Sequence, residues 1–259
     1  MCRLAAYLGI PVSLHRFLID PPHSLIHQSW APQEMDEAVL NADGFGFGWY
    51  PEPEKPATYL STQPIWSDIN LSGLAGSLIS PLWMGYVRSA TPGQMTSLAN
   101  TQPFHTRQLL FMHNGFIKDF NSERKIRFHK YLKPEIQAEI NGNTDSEYLF
   151  AILRQQLANQ PDKSLSSILI NTLQQIKSII ADDTVLLNLI VSDGENLYAI
   201  KHAINGPCPS LYYSRGDKIF PDAIVVASEQ LTKDSTWQPV PDHCLIVISG
   251  KSEPEFISL

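Results

Sequence analysis

The sequence predicts a layered α+β protein rather than a parallel βαβ sheet, and three observations carry that prediction. Short apolar runs of strand length stand before and after a block of two long helical segments, so strands and helices are segregated instead of alternating. Those two segments follow one another, joined by residues 159–164 with Pro161 among them. The 259 residues are 43% hydrophobic, enough for one sizeable core, and no repeat or linker interrupts them, so residues 2–259 read as one domain.

Taken in order, Arg3 to Leu8 reads as a buried strand closed by Gly9-Ile10-Pro11. The region between Ile10 and Asn41 is the expected place for a loop that closes over a site. In Asn41-Ala42-Asp43-Gly44-Phe45-Gly46-Phe47-Gly48-Trp49-Tyr50, glycines alternate with aromatics. At strand period the aromatics share one face and leave the other as bare backbone open to close approach. Further strands are predicted at Leu82–Val87, Gln108–Met112, Val185–Val191, Leu197–Lys201, Ala223–Ala227 and Cys244–Ile248, with His113-Asn114-Gly115 as a turn after the second. Thr144-Asp145-Ser146-Glu147 is a capping box that opens a helix with Leu149, Ile152, Leu153 and Leu157 on one face. A second helix, from about Leu165 to Ile180, repeats apolar residues at helical spacing.

Charge and cysteine usage narrow the function classes. A net charge of −7 offers no basic footprint for nucleic acid. Three cysteines (Cys2, Cys208, Cys244) are too few and scattered for a disulfide framework or a zinc site, and Cys208 and Cys244 read as inert. His23 and His27 stand four apart, but Pro21-Pro22 precede them and no Glu follows His23, so the pair is not a zincin motif. After Arg3 the apolar stretch is broken by Gly9 and Pro11 with no small-residue cleavage site, and no segment is long enough to span a bilayer. A cytoplasmic protein with no membrane or nucleic-acid partner is expected; nothing in one sequence encodes its oligomeric state.

Five segments can carry chemistry, each with a plain structural alternative. Loss of Met1 puts a thiol and an α-amine, whose ordinary pKa is near ~8, together on Cys2, a nucleophile with a built-in base; Cys2 is otherwise a small hydrophobe opening a strand. In Tyr86-Val87-Arg88-Ser89-Ala90-Thr91-Pro92-Gly93, Arg88 offers a rigid fork to a carboxylate and Thr91 a nearby hydroxyl, or Arg88 makes a surface salt bridge. The Asn114 amide and Gly115 N–H can converge as an oxyanion hole, although Asn-Gly is also an ordinary turn pair. Asp145 can receive an ammonium, or simply favour a first helical turn. Asn100-Thr101-Gln102-Pro103-Phe104 is a loop that can form a pocket wall.

In this order the set resembles the class II glutamine amidotransferases, which are N-terminal nucleophile hydrolases. The resemblance spans roughly residues 2 to 250 and implies a four-layer αββα fold with two stacked antiparallel sheets. It further implies that Cys2 is the nucleophile with its α-amine as base, that Asn114 and Gly115 form the oxyanion hole, and that Arg88, assisted by Thr91, holds the α-carboxylate of a γ-glutamyl group whose α-amine sits on Asp145. No cofactor and no metal are implied. The glucosamine-phosphate synthase branch carries His-Thr-Arg-Trp-Ala-Thr-His-Gly where this chain has residues 86–93, and no room remains for a synthetase domain. Met1-Cys2-Arg3, residues 20–25, Gln28-Ser29 and Asn41-Ala42-Asp43-Gly44 are instead similar to a stand-alone branch, that of the γ-glutamyl-hercynylcysteine sulfoxide hydrolase of ergothioneine biosynthesis. The implied activity is hydrolysis of a small-molecule γ-glutamyl amide. For a trimethylammonium leaving group, Trp30, Trp49, Tyr50, Trp83, Tyr86 and Phe104 are candidate aromatics. Two other functions fit the same residues: a glutaminase subunit that feeds ammonia to a separate synthase, and an inactive γ-glutamyl sensor.

Overall fold

Side-chain alternation along the strands divides the apolar residues into three layers. The computed structural model describes residues 2–34, 40–90, 95–250 and 252–259. In chain order its strands are β1 (Arg3–Ser13), β2 (Phe45–Glu52), β3 (Lys55–Ser61), β4 (Ile79–Val87), β5 (Phe104–His105), β6 (Leu110–Ile117), β7 (Val185–Ser192), β8 (Asn196–Ile204), β9 (Tyr212–Arg215), β10 (Ala223–Ala227), β11 (Trp237–Pro239), β12 (Cys244–Ser249) and β13 (Glu255–Ser258). The helices are α1 (Leu14–Leu18), α2 (Leu25–Trp30), α3 (Leu71–Ser77), α4 (Ser122–Tyr131), α5 (Pro134–Gln137), α6 (Asp145–Asn159) and α7 (Leu165–Ile179). Among the described residues no helix is long and apolar enough to cross a membrane.

The strands form two sheets, one of seven in the order β11-β9-β10-β1-β4-β2-β3 and one of six in the order β13-β12-β8-β7-β6-β5. Neighbours pair antiparallel, for example Tyr7 with Trp83 between β1 and β4, and Asn114 with Asn188 between β6 and β7. On β1, Leu4, Ala6 and Leu8 join Leu82, Met84 and Tyr86 of β4 and Leu110 and Met112 of β6 in the apolar layer between the sheets. Ala5 and Tyr7 point the other way, into a layer with Phe17, Leu18, Leu25 and Ala75 from α1, α2 and α3. Phe111 and Ile117 of β6 face Phe128, Ile152, Leu153 and Leu173 from α4, α6 and α7. Helix, sheet, sheet and helix therefore stack as the four-layer αββα arrangement of the N-terminal nucleophile hydrolases.

Three expectations are corrected. Helices and strands are less segregated than the periodicity implies, since α1 to α3 interleave with the first four strands. Gly9-Ile10-Pro11 does not close β1, which continues to Ser13 after a register shift between Leu8 and Val12. The region between Ile10 and Asn41 folds largely into the end of β1, α1 and α2, the two helices packing on the outer face of the seven-stranded sheet; residues 35–39 lie outside the described ones.

The glycine–aromatic alternation of β2 has the two faces its spacing implies. Phe45 and Phe47 are buried in the outer core, and Phe47 stacks on Tyr59 with ring centroids 5.1 Å apart. Opposite them, a Cβ on Gly46 would stand 2.3 Å from the Gln102 carbonyl oxygen, so only glycine lets that loop reach the sheet.

Candidate active site

Cys2 leads directly into β1, the central strand of the seven-stranded sheet, and this position fixes its surroundings. Arg3 pairs with Val87, which sets Cys2 beside the segment leaving β4. There the Ser89 N–H donates to the Cys2 sulfur at 3.4 Å and the Ser89 carbonyl lies 3.5 Å from it. Period two then turns Cys2, Tyr86 and Arg88 to the same inner side of the sheet as Leu4 and Met84.

Arg88 is not a surface salt bridge. It is 3% exposed, and its guanidinium donates to the backbone carbonyls of Asp43 and Met95 at 3.3 and 3.4 Å. The Asn41-Ala42-Asp43-Gly44 segment builds this corner. Its Asp43 N–H donates to the Arg88 carbonyl, its Gly44 carbonyl accepts from the Arg88 N–H, and the Asp43 carboxylate accepts from Ala90 N at 2.8 Å. A buried cation satisfied by neutral carbonyls retains its full charge for an anionic ligand. Thr91 lies outside the described residues.

His113-Asn114-Gly115 is not a turn but the middle of β6. The strand has an exposed edge there, because β5 covers only Leu110 and Phe111. Gln102 takes over where β5 ends: its Oε1 accepts from His113 N at 2.6 Å and its Nε2 donates to the His113 carbonyl at 3.2 Å. Two residues further on, the Ile117 N–H donates to Asp145 Oδ2 at 2.7 Å. The alternation of a strand sends the N–H groups of residues 113, 115 and 117 to one edge, so the Gly115 N–H points outward between Gln102 and Asp145. Asn114 faces the opposite sheet, and its buried Oδ1 has no hydrogen-bond partner among the described residues.

Asp145 opens α6, and Thr144 caps it by accepting from Glu147 N at 3.3 Å. The reciprocal half of the capping box is displaced, since the Glu147 carboxylate reaches past Thr144 to the N–H groups of Asn141 and Gly142, both at 2.7 Å. Asp145 Oδ1 accepts from Ser146 N at 2.8 Å. Behind it, His113 Nε2 lies 3.0 Å from the Leu186 carbonyl and so carries the proton, leaving Nδ1 to accept from the Ser146 hydroxyl at 2.8 Å. Burial lowers the His113 pKa against the pull of Asp145, which keeps the ring neutral.

Tyr86 ties these parts together. It lies on the inner face of β4 two residues before Arg88, paired with Leu4, and its oxygen accepts from Gln102 Nε2 at 3.0 Å. The sequence offers Tyr86 only as one of six candidate aromatics and Gln102 only as part of a loop that can form a pocket wall. Tyr86 shares its face with core residues, and Gln102 reads as loop; only the juxtaposition of Gln102 with a strand beginning eight residues later would have marked it. Among the other candidate aromatics, Trp49 and Trp83 pack together, Phe104 stacks on Phe111 and Phe150, and the Tyr50 hydroxyl is held by the Ser192 carbonyl. Two open grooves of about 670 and 500 Å³ lie elsewhere, against Glu139 and Arg154, and Cys2, Arg88 and Asn114 line neither.

Comparison with known proteins agrees with this architecture. The model of the glutamine amidotransferases class-II family matches residues 22–206. A γ-glutamyl-hercynylcysteine sulfoxide hydrolase of Mycolicibacterium smegmatis is 28% identical over 246 residues, 95% of each chain. A probable glutamine amidotransferase of Saccharomyces cerevisiae, DUG3, is 30% identical over 97% of this chain and 83% of its own length. The solved structure of a glutamine aminotransferase class-II domain protein from Silicibacter pomeroyi aligns with a TM-score of 0.68 and 26% identity, covering 100% of this chain and 99% of its own. The chain belongs to the class II glutamine amidotransferases.

Proposed function

We propose that the protein is an amidohydrolase in which Cys2 attacks the γ-carbonyl of a γ-glutamyl amide. The observation that carries the reading is a thiol held against Ser89, next to the buried Arg88 guanidinium, together with the buried Asp145 carboxylate at the open edge of β6 beside Asn114 and Gly115. An α-amino acid head group needs one fixed cation and one fixed anion, and Arg88 and Asp145 supply them.

The chemistry follows from these groups. With Met1 removed, the α-amine of Cys2 takes the thiol proton and the sulfur attacks the γ-carbonyl carbon. The developing oxyanion meets the Gly115 N–H and the Asn114 amide, whose oxygen and nitrogen exchange places by a flip of the side chain. Collapse of the tetrahedral intermediate breaks the C–N bond, and the α-ammonium returns its proton to the leaving amine. Water then attacks the γ-glutamyl thioester, giving its proton first to the amine and then to the Cys2 sulfur as glutamate leaves. The preferred substrate is γ-glutamyl-hercynylcysteine sulfoxide, a reading supported by the name of the Mycolicibacterium smegmatis relative.

Intact-mass measurement with a diazo-ketone analogue of glutamine, alongside glutamate release from a panel of γ-glutamyl amides, tests this reading. Loss of Met1, one adduct on Cys2 and release of glutamate are expected, and Cys2→Ser is expected to fold while losing both. A processed, folded protein that neither takes the label nor releases glutamate overturns the assignment. Glutamine turnover that rises only on adding a second protein would favour the partner-dependent glutaminase, in keeping with the name of the yeast relative.

A further inference from the structure

Gln102 is 2% exposed, and its side-chain amide does the work of one more residue of β5. The strand β5 pairs only Phe104 with Phe111 and His105 with Leu110, which leaves the edge of β6 open from His113 onwards. There Gln102 Oε1 accepts from His113 N at 2.6 Å and Nε2 donates to the His113 carbonyl at 3.2 Å, the acceptor and donor that a neighbouring strand would offer. The same Nε2 donates to the Tyr86 hydroxyl on β4 at 3.0 Å. Gln102 therefore ties together the sheet that β1 and β4 share, next to Cys2 and Arg88, and the sheet whose β6 carries Asn114 and Gly115. Further along the same edge, Asp145 Oδ2 holds the Ile117 N–H at 2.7 Å. The Gly115 N–H is the edge donor between these two clamps, and Gly115 is half-buried where His113 and Ile117 are buried.

We propose that Gln102 is a positioning residue for the oxyanion hole, fixing the edge of β6 so that the Gly115 N–H stays aimed at the carbonyl oxygen of the group that Cys2 attacks. The inference rests on the reading of Cys2 as nucleophile and Gly115 as oxyanion donor. Those two groups belong to different sheets, and the apolar layer between the sheets attracts without direction. Hydrogen bonds of fixed length and angle supply the direction that packing lacks. An oxyanion donor is effective only within hydrogen-bond distance of the position the oxygen reaches in the transition state, so a drift of β6 shows in kcat before it shows in ground-state binding. No proton or covalent bond moves through Gln102, which acts through the backbone of residue 113.

The test compares wild type with Gln102→Met, which keeps the bulk of the side chain and removes its hydrogen bonds to His113 and Tyr86, in steady-state turnover of γ-glutamyl-p-nitroanilide. Expected is a fall in kcat of about 10- to 100-fold with KM changed by less than about threefold. Alkylation of Cys2 by iodoacetamide, which makes no use of an oxyanion hole, is expected to keep its wild-type rate. When Gln102→Met is combined with Asn114→Ala, the loss in kcat is expected to be smaller than the product of the two single losses, because both changes act on the same developing charge. If Gln102→Met does not fold, Gln102→Glu, assayed where its carboxyl is ionised, keeps the acceptor for His113 N and loses the donated bonds, and is expected to give the same split between kcat and KM. An unchanged kcat, a rise in KM alone, or losses that multiply in the double variant overturns the role of Gln102 and leaves the nucleophile intact. A wild type that neither turns over nor is alkylated at Cys2 removes the underlying reading, and this inference with it.

Discussion

Asn114 and Gly115 are neighbours that serve opposite layers, which is why an ordinary dipeptide can sit at a demanding point. Asn114 points between the sheets with an unpartnered Oδ1, and a Cβ on Gly115 would stand 1.9 Å from the Leu186 carbonyl oxygen of β7. The glycine is required because the next strand leaves no space, and in the proposed reaction the asparagine serves because a neutral amide can turn a donor towards an oxyanion. Replacing Asn114 with Ala is expected to cut kcat by about 10²–10³ with little change in KM, which steady-state kinetics on a γ-glutamyl amide will show. At this scale Cys2, Arg88, Asn114, Gly115 and Asp145 are visible in the sequence as chemical types in a particular order. Their neighbourhood is not. Asn-Gly carries a turn preference that β6 overrides through pairing with β7 from Leu110–Ser192 to Ile117–Val185. Tyr86 and Gln102 are visible only as a candidate aromatic and as part of a candidate pocket wall, because the hydrogen bonds that place them join separate segments of the chain.

Helix α6 shows how an element places a charge. Thr144 caps the helix, Glu147 ties down the residues before it, and Asn100 exchanges hydrogen bonds with Asn143 at 2.9 Å in both directions. Asp145 is thus held from three sides at the edge of β6. Thr144→Ala removes the cap and is expected to cost about 0.5–2 kcal/mol, lowering the melting temperature. Because the helix start also positions Asp145, KM is expected to rise while kcat changes less, and Thr144→Ser is expected to restore both. A melting shift with unchanged KM would separate the cap from substrate binding. Both long helices are legible in the sequence, α7 ending at Ile179 against an expected Ile180, because each carries an apolar stripe and a cap. Helix α4 is not, since of its ten residues only Phe128 is buried. Five strands are unpredicted: β5, β9, β11 and β13 run two to four residues each, too short for alternation to register, and the seven-residue β3 carries Pro56 and has no buried face to set a period.

On the scale of the whole molecule, one carboxylate joins the two ends of the chain beside the site. Glu229 Oε1 pairs with Arg3 at 3.1 Å across 226 residues, and its Oε2 meets His23 Nε2 at 2.7 Å. The backbone N–H groups of Gln33 and Glu34 donate to the same carboxylate, and the Glu34 carboxylate accepts from the Tyr212 hydroxyl. No pattern in the sequence announces this hub, because its members come from four separate segments. Burial alone would raise the Glu229 pKa, but the hydrogen bonds from His23 and Gln33, the charge of Arg3 and the Glu34 N–H outweigh it and leave the carboxyl below its ordinary value. The sign of the consequence follows. A carboxylate with a depressed folded pKa contributes stability above its unfolded pKa of about 4.3, and that stability drains away as pH falls through the lower folded value. Urea unfolding of wild type is therefore expected to lose free energy progressively as pH falls below about 4.3. Glu229→Gln leaves the 1%-exposed Arg3 guanidinium unpaired and is expected to be less stable by about 3–5 kcal/mol at neutral pH, with a flatter dependence at acid pH. Parallel pH curves for the two proteins would show that Glu229 does not carry this linkage. Convergent curves at low pH would show that one ionised group, three segments away in sequence from Cys2, steadies the strand that bears it.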